Sequence, residues 1–212
     1  HAGHDDPSAA ALRQVPVLRG NERLFDLNAQ IAHKVDFIEH YIPSHVKIHL
    51  IGHSIGCWMI LQMLKERSDI KNQFESATFC SQQLKEWWNL QMFLMISAYF
   101  WLASISNVFL GVTLSYIRPT VMEKVVFLAK QEMDTVVNLD LDIVKENKNL
   151  ITLYYGTTDG WVPVKYYEEL KKQIPDVDAI LDTHGIAHVF VLKSSEEMAQ
   201  IVGDLVRKNR VI

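Results

Sequence analysis

The chain has 212 residues, of which 49% are hydrophobic, and this is enough apolar material for one sizeable core. Its net charge of −4 and the lack of a Lys/Arg cluster argue against a nucleic-acid partner. Cys57 and Cys80 are too few for a disulfide framework and lack metal-ligand spacing. The sequence implies neither a metal nor an organic cofactor.

The first part of the chain predicts a loop, a helix and then a strand–helix–strand unit. Residues 1–23 carry the Gly, Asp and Pro residues typical of a loop, and 27–41 repeat apolar residues at helical spacing until Pro43 ends the pattern. The strand, helix and strand that follow are predicted at 46–51, 55–65 and 74–80.

The second part alternates helices and strands in the same way. An amphipathic helical pattern covers 119–148. The strands and helices after it are predicted, in chain order, as strand 150–156, helix 163–172, strand 177–182 and helix 195–208. Strands that alternate with helices predict an α/β fold, a mostly parallel sheet flanked by helices.

The residues Gly52-His53-Ser54-Ile55-Gly56 stand between the first predicted strand and its helix. Gly-x-Ser-x-Gly in this context is the nucleophile elbow of α/β-hydrolases, where a strained turn exposes the Ser hydroxyl. We expect Gly52 and Gly56 to let strand and helix approach closely, and the N–H of Ile55 to be one oxyanion donor. The alternative is a glycine-containing turn without chemistry.

An elbow Ser needs a base and an orienting carboxylate, which in this fold follow it as Asp or Glu and then His on loops after later strands. Asp159 follows strand 150–156 and His188 follows strand 177–182, so both placements fit. Three side chains, Ser54, Asp159 and His188, are therefore the predicted catalytic triad.

Other residues near these positions have competing interpretations. His184 lies one turn before His188 on the same loop and stays an alternative base. His53 is expected to fill space at the elbow, with its ring packed against a neighbouring strand. Asp178 and Asp182 are expected to be solvated turn carboxylates.

A second oxyanion donor usually comes from a glycine-rich loop after an early strand. No such loop precedes Ser54 in this sequence, and only one strand is predicted before it. We expect that an N-terminal portion with further strands is missing and that "HAGHDD" is the loop after one of them. The 212 residues alone should then hydrolyse little, and robust turnover of a p-nitrophenyl ester would contradict this.

No Asp, Glu, Lys or Arg occurs between Glu86 and Arg118, and residues 90–114 are apolar enough to cross about 30 Å of hydrocarbon. A buried core helix and a transmembrane span are two interpretations. A span would place Ser54 and the Asp–His pair on opposite sides of a bilayer, so we favour a lid-like insertion with both ends on one side. Serines within it leave a single helix and a hairpin both open.

The motifs "LIGHSIG", "LQMLK", "YYGTTDGWVP", "YYEELKK" and "HVF" resemble the lipid droplet-associated hydrolase family over most of the chain. The resemblance implies a serine hydrolase of the α/β-hydrolase fold on lipid droplets and endoplasmic reticulum, facing the cytosol. By motif it assigns Ser54 as nucleophile, Asp159 as orienting acid and His188 as base. The family's Asn-Pro-Gly-type oxyanion loop has no counterpart here, and 82–117 departs from the family pattern.

The combined interpretation is a carboxylic ester hydrolase that acts on neutral lipid or sterol esters. Its expected organisation is a first core part with the elbow, an apolar insertion and a second core part with the acid and histidine loops (1–81, 82–117 and 118–212). The insertion, through 90–114, would contact the droplet surface or the endoplasmic reticulum membrane. The alternative function is a catalytically weak droplet-associated protein that affects lipid storage through this insertion.

Overall fold

The structure is a computed structural model that describes residues 1–4, 14–81 and 118–209. It divides into two compact units, one formed by 1–36 and 85–137 and the other by 37–84 and 138–212. The predicted insertion, 90–114, lies outside the described residues. Among the residues that are described, no helix is both long enough and apolar enough to cross a membrane.

The unit formed by 1–36 and 85–137 contains a 3-10 turn, Glu22–Leu24, the start of helix α1, Leu27–Tyr41, and a helix that begins at Pro119. Gln30 is fully buried. Its amide Nε2 donates to the carbonyl oxygen of Ala2 at 3.1 Å, and its Oε1 accepts from the Ala2 N–H at 2.8 Å. The side-chain oxygen of Asp26 caps α1 by accepting from the N–H of Ala29 at 2.7 Å.

The other unit holds a sheet of four parallel strands in chain order, each hydrogen-bonded to the next. The strands are β1, Ile48–His53; β2, Phe74–Cys80; β3, Ile151–Tyr155; and β4, Asp178–Leu181. β2 and β3 are almost entirely buried, as central parallel strands covered on both faces require, whereas β1 and β4 are largely half-buried. The predicted parallel α/β architecture is confirmed.

Seven helices follow α1 within the part of the chain that the structure describes. They are α2, Ile55–Glu66; α3, Ser68–Lys71; α4, Pro119–Thr135; α5, Leu141–Glu146; α6, Val164–Gln173; α7, Phe190–Lys193; and α8, Ser195–Asn209. α2 packs on β1, α8 on β2 and α6 on β4. The largest buried side chains of α2 are Met59, Leu61 and Met63. These contacts fix the helix that starts directly after Ser54.

The helical pattern predicted over 119–148 corresponds to two helices. α4 ends at Thr135 and α5 begins at Leu141. Asp140 is the N-cap of α5, because its side-chain oxygen accepts from the N–H of Ile143 at 3.3 Å. The β-branched pair Val136–Val137, directly before Asn138, disfavours helix continuation.

Because all four strands are parallel, their carboxyl ends lie at one edge of the sheet. Ser54 follows β1, Ser81 follows β2, Asp159 lies on the loop after β3 and His188 lies on the loop after β4. The predicted division at 82 and 117 stays a prediction, since its central segment is not described.

Candidate active site

Ser54 occupies the sharp turn between β1 and α2. Its backbone has φ 53° and ψ −121°, a combination that an L-residue adopts only under strain. Conformations of this kind cost of the order of 1–3 kcal/mol, and they persist where surrounding structure enforces them. Here the Ser54 N–H donates to the carbonyl of Cys80 at 3.2 Å, and the Ser54 carbonyl accepts from the N–H of Cys57 at 3.0 Å.

The two elbow glycines differ in their surroundings. A Cβ at Gly52 would lie 2.8 Å from the backbone N and 2.9 Å from the Cα of Cys57, so the close approach predicted there is confirmed. A Cβ at Gly56 would meet no atom within 4 Å. The prediction for Gly56 was therefore wrong, since Gly52 alone brings the strand against the helix.

Ile55 is the first residue of α2, so its N–H has no intrahelical acceptor. The amino end of a helix carries a partial positive charge and exposed N–H groups, which favour an anion nearby. This position directly after Ser54 is the one that an oxyanion donor requires.

Asp159 and His188 form a buried pair. The Nδ1 of His188 lies 2.9 Å from Oδ2 of Asp159, and the two residues are 8% and 5% exposed. A carboxylate can only accept, so Nδ1 carries the proton and donates it to Asp159. The other ring nitrogen, Nε2, is then left as the basic site in the neutral imidazole.

Asp159 is held by further donors. Its Oδ1 accepts from the N–H of Trp161 at 2.8 Å and of Val162 at 3.1 Å. Burial alone would raise the pKa of Asp159, but hydrogen bonds from His188, the Ser81 side chain and the Trp161 N–H lower it below its ordinary value. The carboxylate is therefore ionised at neutral pH and can stabilise a positive charge on His188.

Ser81 is a site residue that the sequence analysis missed. It is 3% exposed, has a positive φ of 55°, and hydrogen-bonds Asp159 through its side chain. Its N–H donates to the carbonyl of Tyr154 at 3.0 Å. The available signal was its position directly after the buried strand "FESATFC", at the same edge as Ser54 and Asp159.

His53 lies beside Ser54, and its contacts differ from those expected. Its ring faces the rings of His188 and Phe190, with centroids 4.9 and 4.6 Å away, and its Nε2 lies 2.9 Å from the carbonyl oxygen of His188. These contacts come from the loop after β4 and from α7. The expectation of packing against a neighbouring strand is replaced by a contact with the histidine loop.

His184, the alternative base, does not contact Asp159. It is exposed, and its Nδ1 lies 3.2 Å from Oε1 of Glu197 on α8. Of the two histidines on this loop, His188 is thus the one that is buried and paired with the carboxylate that follows β3.

Asp182 was expected to be a solvated turn carboxylate, and this was wrong. It is 1% exposed and accepts from the Tyr154 hydroxyl, from the N–H of His184 at 2.9 Å and from the N–H of Ile186 at 2.7 Å. Burial would raise its pKa, but these hydrogen bonds lower it. Asp182 therefore fixes the start of the loop that carries His188.

Asp178 does not lie in a turn either, because it begins β4. It is half-buried, and its Oδ2 accepts from the Thr152 hydroxyl at 2.9 Å across to β3. Its role is to pair neighbouring strands at their amino ends.

A cleft of about 600 Å³ lies at the end of α1 and beside α3, and none of the residues above lines it. Its lining residues Ile42, Pro43, Asn72 and Gln73 precede β1 and β2, so the cleft is at the amino ends of these strands. The arrangement that suits acid–base chemistry is at the other edge.

Comparisons with known proteins show what the chain is similar to. A family model described as "Lipid-droplet associated hydrolase" matches residues 1–79 and 76–191. A lipid droplet-associated hydrolase of Drosophila melanogaster is 46% identical over 99% of this chain and 78% of its own length. Those of Gallus gallus and Homo sapiens are 31% and 30% identical, over 98% and 96% of this chain and 73% and 72% of theirs.

Solved structures resemble the chain in fold. A serine hydrolase involved in carbazole degradation superimposes with a TM-score of 0.64 at 14% identity, over 86% of this chain and 72% of its own. A serine hydrolase of Cycloclasticus zankles gives a TM-score of 0.60 at 13% identity, over 83% and 69%. At these identities the likeness establishes the α/β-hydrolase fold alone.

Proposed function

The chain belongs to the lipid droplet-associated hydrolase family, and on this premise we propose that it hydrolyses carboxylic esters with Ser54, His188 and Asp159 as its catalytic triad. The observation that carries the proposal is the buried hydrogen bond from His188 to Asp159 at the sheet edge where Ser54 occupies a strained elbow. Burial, pairing and strain together are typical of catalytic sites.

The proposed reaction has two halves. The Nε2 of His188 takes the hydroxyl proton of Ser54 as Oγ attacks the ester carbonyl, and the imidazolium then returns that proton to the leaving alcohol. An acyl-enzyme remains. A water that loses its proton to His188 attacks the acyl carbon, and Ser54 leaves with the proton as the carboxylic acid is released.

Two groups lower the barrier in this scheme. The carboxylate of Asp159 stabilises the imidazolium and keeps the proton on Nδ1, so that Nε2 can accept the hydroxyl proton of Ser54. The N–H of Ile55 at the start of α2 donates to the oxyanion of the tetrahedral intermediate, where one such donor contributes about 10²–10³ in rate.

For the substrate we propose neutral lipid esters, with sterol and glycerol esters as the two candidates. The support is the droplet association in the relatives' names and the uncharged stretch 90–114, which suits contact with an apolar surface. We also propose that the protein resides on lipid droplets and endoplasmic reticulum, with the site facing the cytosol. Residues 90–114 would contact the surface there, close to both kinds of ester.

Release of fatty acid from emulsified cholesteryl oleate and trioleoylglycerol tests the proposal. The wild-type protein should release acid from at least one of them, slowly if the 212 residues are used alone, and Ser54→Ala should lower that rate roughly 10³-fold or more. Ser44→Ala is the matched control, because Ser44 is exposed in the loop before β1. Equal rates for wild type and Ser54→Ala would overturn the assignment.

A catalytically weak droplet protein is the second candidate, favoured by the length of the uncharged stretch. Deletion of 90–114 should remove droplet targeting under both proposals. If Ser54→Ala keeps the cellular lipid-storage phenotype while this deletion abolishes it, the second candidate is correct.

A further inference from the structure

His53 is a half-buried histidine that links the nucleophile elbow to the histidine loop. It precedes Ser54 in the chain, and its Nε2 lies 2.9 Å from the main-chain carbonyl oxygen of His188. Its ring also packs edge-on against Phe190, two residues beyond His188. One side chain thus contacts both the residue that carries the base and the helix that follows it.

The hydrogen bond defines the state of His53. A carbonyl oxygen only accepts, so the proton must be on Nε2 of His53. Burial, and then the proximity of His188, lower the pKa of His53, while the hydrogen bond to the His188 carbonyl and the charge of Asp159 oppose this to a smaller extent. The ring is therefore neutral at physiological pH and adds no charge that would oppose an imidazolium at His188.

The position of His188 has to be fixed from two directions. Asp159, on the loop after β3, holds the ring through Nδ1. Ser54 follows β1, and two strands, β2 and β3, separate β1 from β4. His188 nevertheless lies beside the end of β1, because it is on the loop after β4, and the hydrogen bond from His53 ties its backbone to the residue bonded to Ser54.

We propose that His53 is a positioning residue that sets the distance between the nucleophile and the base by holding the main chain of His188. This inference rests on the proposed function for its kinetic consequence. A base misplaced by about 1 Å loses up to about 10² in rate, so the hydrogen bond acts on the chemical step and leaves substrate affinity unchanged.

The test compares His53→Gln with His53→Met. Both replace the ring by a flexible side chain of equal length, but only Gln retains an N–H donor where Nε2 was. We expect kcat, and the rate of fluorophosphonate labelling, to be about tenfold lower in His53→Met than in His53→Gln, with KM within about twofold. His45→Met and His45→Gln are the control pair on an exposed histidine and should be equal.

A second measurement is independent of catalysis. The proton on Nδ1 of His188, shared with Asp159, should give a low-field NMR resonance in the wild type and in His53→Gln, broadened or lost in His53→Met. Equal kinetics and equal resonances in the two variants would overturn the inference. If His53→Met does not fold, folded His53→Gln is compared with the wild type, and a kcat more than about threefold lower in His53→Gln overturns the inference.

These outcomes separate the inference from the function. A wild-type protein that neither labels nor hydrolyses, yet loses the resonance in His53→Met alone, would refute the esterase and keep the positioning role. An active wild type whose His53→Gln and His53→Met variants behave alike would keep the esterase and refute the positioning role.

Discussion

Replacement of Gly52 by Ala tests how the elbow is held. The added Cβ would lie 2.8 Å from the N of Cys57, 2.9 Å from its Cα and 3.0 Å from the carbonyl carbon of Gly56. All three are backbone atoms of the first turn of α2, so no side chain can rotate away. To restore an ordinary contact of 3.4 Å, strand and helix must separate by about 0.6 Å.

The size of the effect follows from these contacts. Forced overpacking of a well-packed site costs about 1–3 kcal/mol. The smaller conformational entropy of Ala in the unfolded chain offsets at most about 1 kcal/mol. We therefore expect Gly52→Ala to lower the free energy of unfolding by about 2 kcal/mol and, because Ser54 moves with the turn, to slow fluorophosphonate labelling at least tenfold.

Gly56→Ala is the matched control for this prediction. Its Cβ meets nothing within 4 Å, and Ala is the better helix former by about 1 kcal/mol, so the free energy of unfolding should stay equal or rise by up to about 1 kcal/mol. Urea unfolding followed by far-UV circular dichroism gives both values. Equal midpoints for the two variants, or a less stable Gly56→Ala, would refute the reasoning.

Three further predictions concern buried ionisable groups. Asp182→Asn should lower the free energy of unfolding at pH 7 by about 2–4 kcal/mol in urea titrations, because the buried carboxylate accepts from Tyr154 and two N–H groups. Since the pKa of Asp182 is lowered, this difference should shrink as pH falls below its ordinary 3.8, and a constant difference would contradict it. Burial raises the pKa of Glu132 from 4.5 to about 7, so the folded state keeps a proton that the unfolded chain releases, and stability falls as pH rises through that window. Glu132→Gln should therefore melt at a higher temperature than wild type at pH 8 and at the same temperature at pH 4; equal melting at pH 8 would exclude this. Burial also raises the pKa of both thiols, that of Cys80 to about 12, so iodoacetamide at pH 8 should modify neither Cys57 nor Cys80 until urea is added, as counted by intact mass. Modification in the folded protein would contradict that burial.

The sheet and the elbow were predictable from the sequence because their signals are local. "VKIHLI" and "LITLYYG" are rich in β-branched and aromatic residues. β3 lies within the second of them, and β1 is shifted from the first by two residues toward the carboxyl end. Since parallel strands present their carboxyl ends together, the position of Asp159 and His188 after two strands was enough to predict that they meet.

The features that escaped prediction depend on contacts between distant residues. The role of Ser81 requires a positive φ and a partner 78 positions away, neither of which a Ser in a polar interval indicates. The sequence around Asp182 predicts a turn residue, whereas in the structure its carboxylate accepts hydrogen bonds from Tyr154, His184 and Ile186. His53 likewise has no sequence signal for a partner 135 residues away.

The most direct test of the triad is tandem mass spectrometry of the protein after reaction with a fluorophosphonate. The account predicts a single adduct on the peptide that contains Ser54, with labelling at least 10³-fold slower in His188→Gln, because the bond to phosphorus forms only as Nε2 removes the serine proton. An adduct on another residue, or a His188→Gln variant labelled at the wild-type rate, would contradict it.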